Sequence, residues 1–373
     1  MSNNILVNAK QLKKLSYDLL VALGIPDEDA EYGARVLNEA DIRGVDTHGV
    51  ARLQSYAMMI KAEKINTKAK LTPIFENDSL LYLDAENGLG IVMAARAVEM
   101  CIEKAKKSGV CIASIKNSGH WGISGYYSQE AARKGMIGIS ISNSGAAMVP
   151  FGGRNRVLGN SPWSIAFPAG KKYNYPIMFD MACSTVAGGK IEMALRKNEE
   201  IPFGWLVDEM GIDTHDPTKF FKGCGLLPFG GPKGYVLATL LEILASVLSG
   251  ASYGNNIGTR VSGIKPSDPP KMPEDVGHLL IVIDVGHIRP IKEVQDYLDK
   301  YLDDLKNSEP SLGVKEIMLP GEIEARNYEK RSLNDFELNE KVAEDLLKIA
   351  KEVGYVTEET TVKELFKKCM VWI

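Results

Sequence analysis

Gly88-Leu89-Gly90-Ile91-Val92-Met93 follows a strand-like run, Leu80-Leu81-Tyr82-Leu83-Asp84, and opens a helical pattern running from about Ile91 to Ser108. A dinucleotide-binding Rossmann unit carries GxGxxG at such a junction, because bare backbone can approach a pyrophosphate held at the helix N-terminus. Here the third glycine is replaced by Met93. The next strand, Val110 to Ile115, runs into Lys116-Asn117 rather than an acid able to hold a ribose. The fingerprint fails, and a plain turn and helix start is the better reading. GxxxxGK(S/T), GxSxG, HExxH and EF-hand loops are missing as well. The sequence therefore gives no support to the phosphate-loop class or to these hydrolase and metal signatures, and no metal site is expected.

Outward from this junction the chain reads as helical at both ends and mixed in the middle. Asn8 is placed to cap a helix through Leu23, with Gly24 as its stop signal. Pro26-Asp27 restarts a second helix ending near Gly44, and a third is expected from Asp46 or Thr47 to about Lys64. A helix over Tyr126–Lys134 and strands over Ile137–Ser142, Trp163–Pro168, Ile177–Met181 and Leu279–Asp284 follow from apolar and β-branched patterning. Lys265 to Glu274 is polar and proline-rich and reads as a loop. Helices dominate from Lys292, with Leu338 to Val353 closing at Gly354. The layout is α+β: residues 1–75 and 285–373 as a discontinuous, largely helical domain, and 76–284 as a mixed-sheet domain.

Composition narrows the class. The chain has 373 residues, 45% apolar and 25% charged, with a net charge of −4. These values suit a globular protein, and no Lys/Arg block points to nucleic acid. The five cysteines, Cys101, Cys111, Cys183, Cys224 and Cys369, show no metal-type spacing and read as free thiols in a reducing compartment. Met1-Ser2-Asn3-Asn4 leads into an amphipathic, charged helix, so no signal peptide is expected and the cytoplasm is the expected location. Gly234 to Ala251 is nearly all apolar or small, yet it carries Glu242 at its middle. It reads as a buried core helix rather than a membrane span.

Two segments hold residues suited to chemistry. Asn117 to Trp163 contains nine glycines in 47 residues and one of the five histidines, His120. Glycines beside a histidine allow close approach of a ligand, and imidazole moves protons near neutral pH. In Asp46-Thr47-His48-Gly49-Val50-Ala51-Arg52-Leu53-Gln54-Ser55-Tyr56, a continuous helix would place His48, Arg52 and Tyr56 on one face. The arginine fork matches a carboxylate beside a proton donor. A solvated stripe on an exposed helix is the competing reading. Asn143-Ser144-Gly145, Pro150-Phe151-Gly152-Gly153, Gly159-Asn160-Ser161-Pro162 and Lys233 are further candidates for phosphate or amide contacts. His215 reads as exposed and His278 as structural, whereas His287 could face a cleft.

Taken together, Arg43-Gly44-Val45-Asp46-Thr47-His48-Gly49, Ser118-Gly119-His120-Trp121-Gly122, Ser142-Asn143-Ser144, Pro150-Phe151-Gly152-Gly153, Gly159-Asn160-Ser161-Pro162, Asp180-Met181-Ala182, Gly230-Gly231-Pro232-Lys233-Gly234-Tyr235 and Leu319-Pro320-Gly321-Glu322 resemble the malate and L-lactate dehydrogenases of the second, non-Rossmann type. Relatives there include L-sulfolactate, ureidoglycolate and diketogulonate dehydrogenases. The resemblance implies an L-sulfolactate-dehydrogenase-like fold, NAD or NADP as cofactor, a small 2-hydroxy or 2-oxo acid as substrate, malate first, and a homodimer. It implies His120 or His48 as the proton donor, with Thr47, Arg52 and Tyr56 on the substrate side. Ser144, Asp180, Ala182, Cys183, Lys233, Pro320, Gly321 and Glu322 fall on the cofactor side. Thr47 stands where relatives carry Ser, Gly159-Asn160-Ser161-Pro162 replaces Gly-Thr-Asn-Pro, and His287-Ile288 replaces His-Phe. These departures bear on the substrate rather than on the reaction. Rival readings are a non-redox lyase and an NAD(P)-binding sensor.

Overall fold

A computed structural model of the chain describes residues 4–258 and 272–368. Cys369 and most of the expected Lys265–Glu274 loop lie outside the described residues. The fold is α+β, built on seven strands: β1 Thr72–Glu76, β2 Leu80–Asp84, β3 Val110–Ser118, β4 Met136–Ser142, β5 Trp163–Phe167, β6 Ile177–Met181 and β7 Val276–Asp284. Their order across the sheet is β1-β2-β3-β7-β4-β5-β6. Only β2 and β3 run parallel, with Leu80 opposite Ile112 and Asp84 opposite Lys116. The other neighbours are antiparallel. Helix Gly90–Ser108 is the crossover that a parallel pair requires. A true βαβ unit thus stands at the failed fingerprint, and the sheet leaves the Rossmann plan at its next strand, antiparallel β7.

Each element has a local cause. Helix Ala9–Ala22 begins at a capping box in which Asn8 accepts from the Gln11 N–H (3.0 Å) while the Gln11 side chain accepts from the Asn8 N–H (3.0 Å). Edge strand β1 is exposed along its length and tolerates Pro73, since one side of its ladder is unpaired. Central β7 is buried over Val276–Leu280, which fits a strand covered on both faces.

One core cluster joins a sheet face to helices from both ends of the chain, through Leu20, Leu37, Ile91, Val98, Ala113, Leu280, Leu346 and Phe366. Short strands Ile5–Val7 and Phe336–Leu338 pair antiparallel and fasten the two ends together. The second cluster, including Ile141, Met148, Cys183, Phe220, Leu241 and Leu279, lies on the opposite face.

The apolar run forms helix Pro232–Glu242, continued by a π-helical turn over Ile243–Val247. Among the described residues no helix is long and apolar enough to cross a membrane. The Glu242 carboxylate accepts from the Gly159 and Gly254 N–H groups at 3.2 and 2.9 Å. The expected burial holds on one side only. Ala238, Leu241 and Ala245 are buried, but Val236, Leu240, Val247 and Leu248 are each more than half exposed.

Candidate active site

A cleft of about 680 Å³ opens where the His120 loop, the turns after Arg43, the ends of β4 to β6 and the Met318–Glu324 segment converge. That volume suits a small-molecule site. A second hollow of about 870 Å³ lies along helix Gly90–Ser108, near Tyr32 and Arg96. There Arg96 is already held by Asp29 (2.6 Å) and Glu28 (3.3 Å). The residues suited to chemistry gather in the first cleft.

The expected helix from Asp46 is interrupted. Asp46–His48 and Val50–Arg52 are single 3-10 turns, and the helix proper is Leu53–Lys61. The break has an identifiable cause. Buried Asp41 reaches into it and accepts from the Val50 N–H at 2.9 Å. A Cβ on Gly49 would fall 2.5 Å from the Asp41 Oδ2. Burial pushes the Asp41 carboxyl up to about 8. The helical stripe is therefore absent, yet its residues still converge. The His48 ring stacks on His120 at 5.6 Å, and the Tyr56 hydroxyl lies 2.8 Å from His120 Nδ1. Thr47 Oγ1 sits 2.9 Å from His48 Nδ1.

His120 Nδ1 also accepts from the Gly122 N–H at 3.3 Å. A ring nitrogen accepting from an amide carries no proton of its own, so the Tyr56 hydroxyl donates to it and Nε2 bears the proton of the neutral ring. Burial raises Tyr56 and keeps it a phenol. Burial first, then the Arg52 charge and the neighbouring His48 and His278 rings, hold His120 well below the usual histidine range. Burial and Arg52 bring His48 to about 3. Both rings are neutral at pH 7 without a ligand. Arg52 lines the cleft, and its buried Nε has no hydrogen-bond partner among the described residues.

The opposite wall is polar. Ser144 Oγ donates to Asn160 Oδ1 (2.6 Å) and accepts from the Asn160 N–H (3.0 Å). Asp180 accepts from the Gly125 N–H at 2.7 Å, and burial lifts its carboxyl to about 6 although it borders the open cleft. Ala182, Pro320 and Gly321 complete this side.

Three expected cofactor residues stand off the lining. Cys183 is buried behind Asn160, its thiol pushed up to about 12 by burial. Glu322 instead binds Lys306 (2.7 Å), Arg326 (2.6 Å) and the Leu319 N–H (2.9 Å). Lys233 is exposed at the head of its helix.

His278 is structural. Its nitrogens each lie 2.9 Å from a serine, Ser142 and Ser118, and Trp121 stacks on its ring at 4.3 Å. His215 and His287 lie beside Glu200 (3.2 Å) and Asp284 (3.3 Å), away from the cleft. Sequence reasoning missed Glu274 and Glu324. Glu324 lines the cleft from the first turn of helix Glu322–Leu333. Glu274 accepts from the His120 backbone N–H at 2.5 Å. No local pattern marks Glu274, because its partner is distant in sequence.

The sequence profile of the malate/L-lactate dehydrogenase family matches residues 7–347. The chain is 41% identical over 347 residues to the L-sulfolactate dehydrogenase of Methanocaldococcus jannaschii, covering 93% of this chain and 97% of that one. It is 36% identical over 343 residues to the malate dehydrogenase of Pyrococcus abyssi, covering 90% and 91%. Among solved structures it resembles the M. jannaschii sulfolactate dehydrogenase, with a TM-score of 0.85, 39% identity and coverage of 94% and 98%. It also resembles the malate dehydrogenase of Pyrococcus horikoshii OT3, with a TM-score of 0.83, 34% identity and coverage of 94% and 96%. With a mixed sheet in place of a Rossmann domain and these relatives along nearly its whole length, the chain belongs to the malate/L-lactate dehydrogenase family and is an NAD(P)-dependent 2-hydroxyacid dehydrogenase.

Proposed function

We propose that the cleft binds NAD or NADP together with a 2-hydroxy or 2-oxo acid, malate and oxaloacetate being the leading pair. The observation that carries this reading is the Arg52 guanidinium, whose buried Nε lacks a partner among the described residues and stands beside two neutral histidines. A buried donor left unpaired is costly, and a carboxylate relieves the cost. Arg52 pairs with the C1 carboxylate. His120 acts as an imidazolium, with the Tyr56 hydroxyl turned to accept from the protonated Nδ1; it gives its Nε2 proton to the C2 oxygen in reduction, leaving the neutral Nδ1–H ring, and that ring takes the proton back at Nε2 in oxidation. Thr47 and His48 complete the substrate side. The bound acid offsets the Arg52 charge, which is one of the causes holding His120 low, so the ring gains proton affinity when substrate arrives.

The cofactor's nicotinamide supplies the hydride chemistry. The Ser144–Asn160 pair, Asp180, Ala182, Pro320 and Gly321 offer a fitting mixture of hydroxyl, amide, carboxylate and bare backbone. Cys183 and Glu322 support that wall from behind, and Lys233 is the proposed phosphate contact. L-Sulfolactate is the second reading, favoured by the name of the 41% identical relative. It shares the 2-hydroxy acid head and differs at the distal acid group.

The apolar outer face around Leu240 and Val247 is the proposed interface of a homodimer, since a contiguous exposed apolar face marks an association site. Residues 1–75 with 285–373, and 76–284, are the proposed domains. The four buried thiols fit a reducing, cytoplasmic compartment.

Absorbance at 340 nm with oxaloacetate, sulfopyruvate and pyruvate, each with NADH and NADPH, tests substrate and cofactor together. Arg52→Ala is expected to raise KM for the preferred acid about 100-fold or more, as for truncation of a buried charge partner, while NADH affinity stays within about twofold. Equal weakening of acid and NADH refutes the carboxylate role.

A further inference from the structure

Glu274 takes no part in the reading above, yet its carboxylate touches the loop that carries His120. It enters from the residues just before β7, and Oε2 accepts from the His120 N–H at 2.5 Å. Gly119 is fitted to this contact, because a Cβ there would stand 2.7 Å from the same oxygen. The chain holds Glu274 in place on its other side, where its carbonyl accepts from the Gly258 N–H at 3.0 Å. Among the described residues no cation forms an ion pair with Glu274. Burial raises the Glu274 carboxyl above the usual range, while the His120 N–H and then Arg52, which does not bridge to it, act in favour of its charged form. An acid placed only to balance Arg52 would be expected to bridge to it, and Glu274 binds the histidine's amide instead.

We infer that Glu274 is a positioning residue for His120, fixing the loop through the amide and supplying the negative charge that stabilises the imidazolium during turnover. The inference rests on the proposed proton role of His120. Around that ring stand His48 and Arg52 from the two short turns, Tyr56 from helix Leu53–Lys61, His278 from β7, and Glu274. Once a substrate carboxylate has offset Arg52, Glu274 is the remaining fixed charge of this set. Its sign favours a protonated ring.

The test is Glu274→Gln, which keeps an oxygen acceptor for the amide and removes only the charge. The apparent pKa of the kcat profile is expected to move down by about one unit, the effect of removing one nearby charge at an effective dielectric near 20. At pH 8 the reduction rate falls about tenfold, while KM for NADH is unchanged. Glu274→Asp, which restores the charge, should move the pKa back toward the wild-type value. NMR titration of labelled histidine, with His120→Asn for assignment, should show the same downward shift in protein saturated with oxamate. An unchanged pKa in Glu274→Gln by both readouts overturns the inference, because a purely structural acid would lower rate or stability without moving a titration. Wild-type protein that reduces none of the acids, with the NMR shift still seen in Glu274→Gln, overturns the reaction reading instead and leaves the Glu274–His120 coupling in place.

Discussion

Gly90→Ala separates the fold described here from the Rossmann plan that its sequence resembles locally. Gly90 opens helix Gly90–Ser108, and the His120 loop crosses directly over it. A Cβ there would stand 2.5 Å from the Gly119 carbonyl carbon and 2.6 Å from the His120 oxygen, and closer still to the Gly119 oxygen. These are backbone atoms, which cannot swing aside as a side chain would. Restoring van der Waals separation moves the loop by roughly 1 Å. Overpacking of this kind costs about 1–3 kcal/mol, partly offset by the better helix propensity of alanine. The displacement falls on His120, the proposed proton donor, and a shift of that size at a reacting group costs on the order of 100-fold in rate. The expected result is a lowered denaturant midpoint together with a kcat/KM for the 2-oxo acid reduced about 100-fold, with NADH affinity nearly unchanged. Gly189→Ala is the control: nothing lies within 4 Å of its Cβ position, in helix Gly188–Lys197, so stability should hold or rise slightly. If Gly90→Ala keeps stability and acid turnover but loses NADH affinity, the glycine contacts phosphate and the packing argument is wrong.

The two histidines separate by single-turnover hydride transfer. His120→Asn should slow the chemical step by at least about 100-fold, as for loss of a general acid, while His48→Asn should act mainly on acid binding; the reverse pattern moves the proton role to His48. His278 should make the protein sensitive to acid. Burial holds it near 3 in the fold against about 6.5 unfolded, so the stability tied to its neutral form is complete above pH 6.5 and is lost as pH falls toward 3. Between pH 7 and 5 this amounts to about 2 kcal/mol, and urea titrations of His278→Gln should show a correspondingly flatter pH dependence. Leu240→Glu places a charge on the exposed apolar face and should shift sedimentation from dimer to monomer; an unchanged dimer puts the interface elsewhere.

Much of the sheet was legible because its strands announce themselves locally. Leu80–Asp84 and Ile177–Met181 were bounded to the residue by apolar runs. The resemblance to a Rossmann junction was also a correct local signal, since strand, turn, helix and parallel strand do follow one another there. The strand from Leu279 was legible too, but local sequence could not reveal its place: β7 arrives from more than 130 residues beyond β4 and separates β3 from β4. The glycine-rich stretch reads as room for a ligand. Part of it serves protein packing: a Cβ on Gly138 would meet the Ser128 backbone, so that glycine lets helix Ser124–Ala132 settle on β4. The helix expected from Asp46 failed for a similar reason, because Asp41 caps a break that no 3.6-residue pattern records. The apolar run from Gly234 looked like core by composition, but composition does not say whether the second side of a helix is covered by its own chain.

The charge arrangement of the cleft links substrate choice to catalysis. His48 and His120 share one enclosed space with Arg52, and each loses proton affinity through burial and through that cation. A neutral ketone entering this space would meet two neutral imidazoles and find no ready acid. On the proposed roles, a 2-oxo acid brings its own carboxylate to pair with Arg52 and remove part of the penalty on His120 in the same event. Binding energy gained at C1 thus becomes proton affinity near C2, where charge develops in the transition state. Nδ1 faces the Gly122 amide and the Tyr56 hydroxyl, so in the proposed reaction the exchange with substrate runs through Nε2, and the cation forms when the Tyr56 hydroxyl turns to accept from a protonated Nδ1. On the proposed roles, discrimination for the acid head group belongs to kcat as well as to KM, and it follows from where half-buried Arg52 leaves its Nε without a partner among the described residues.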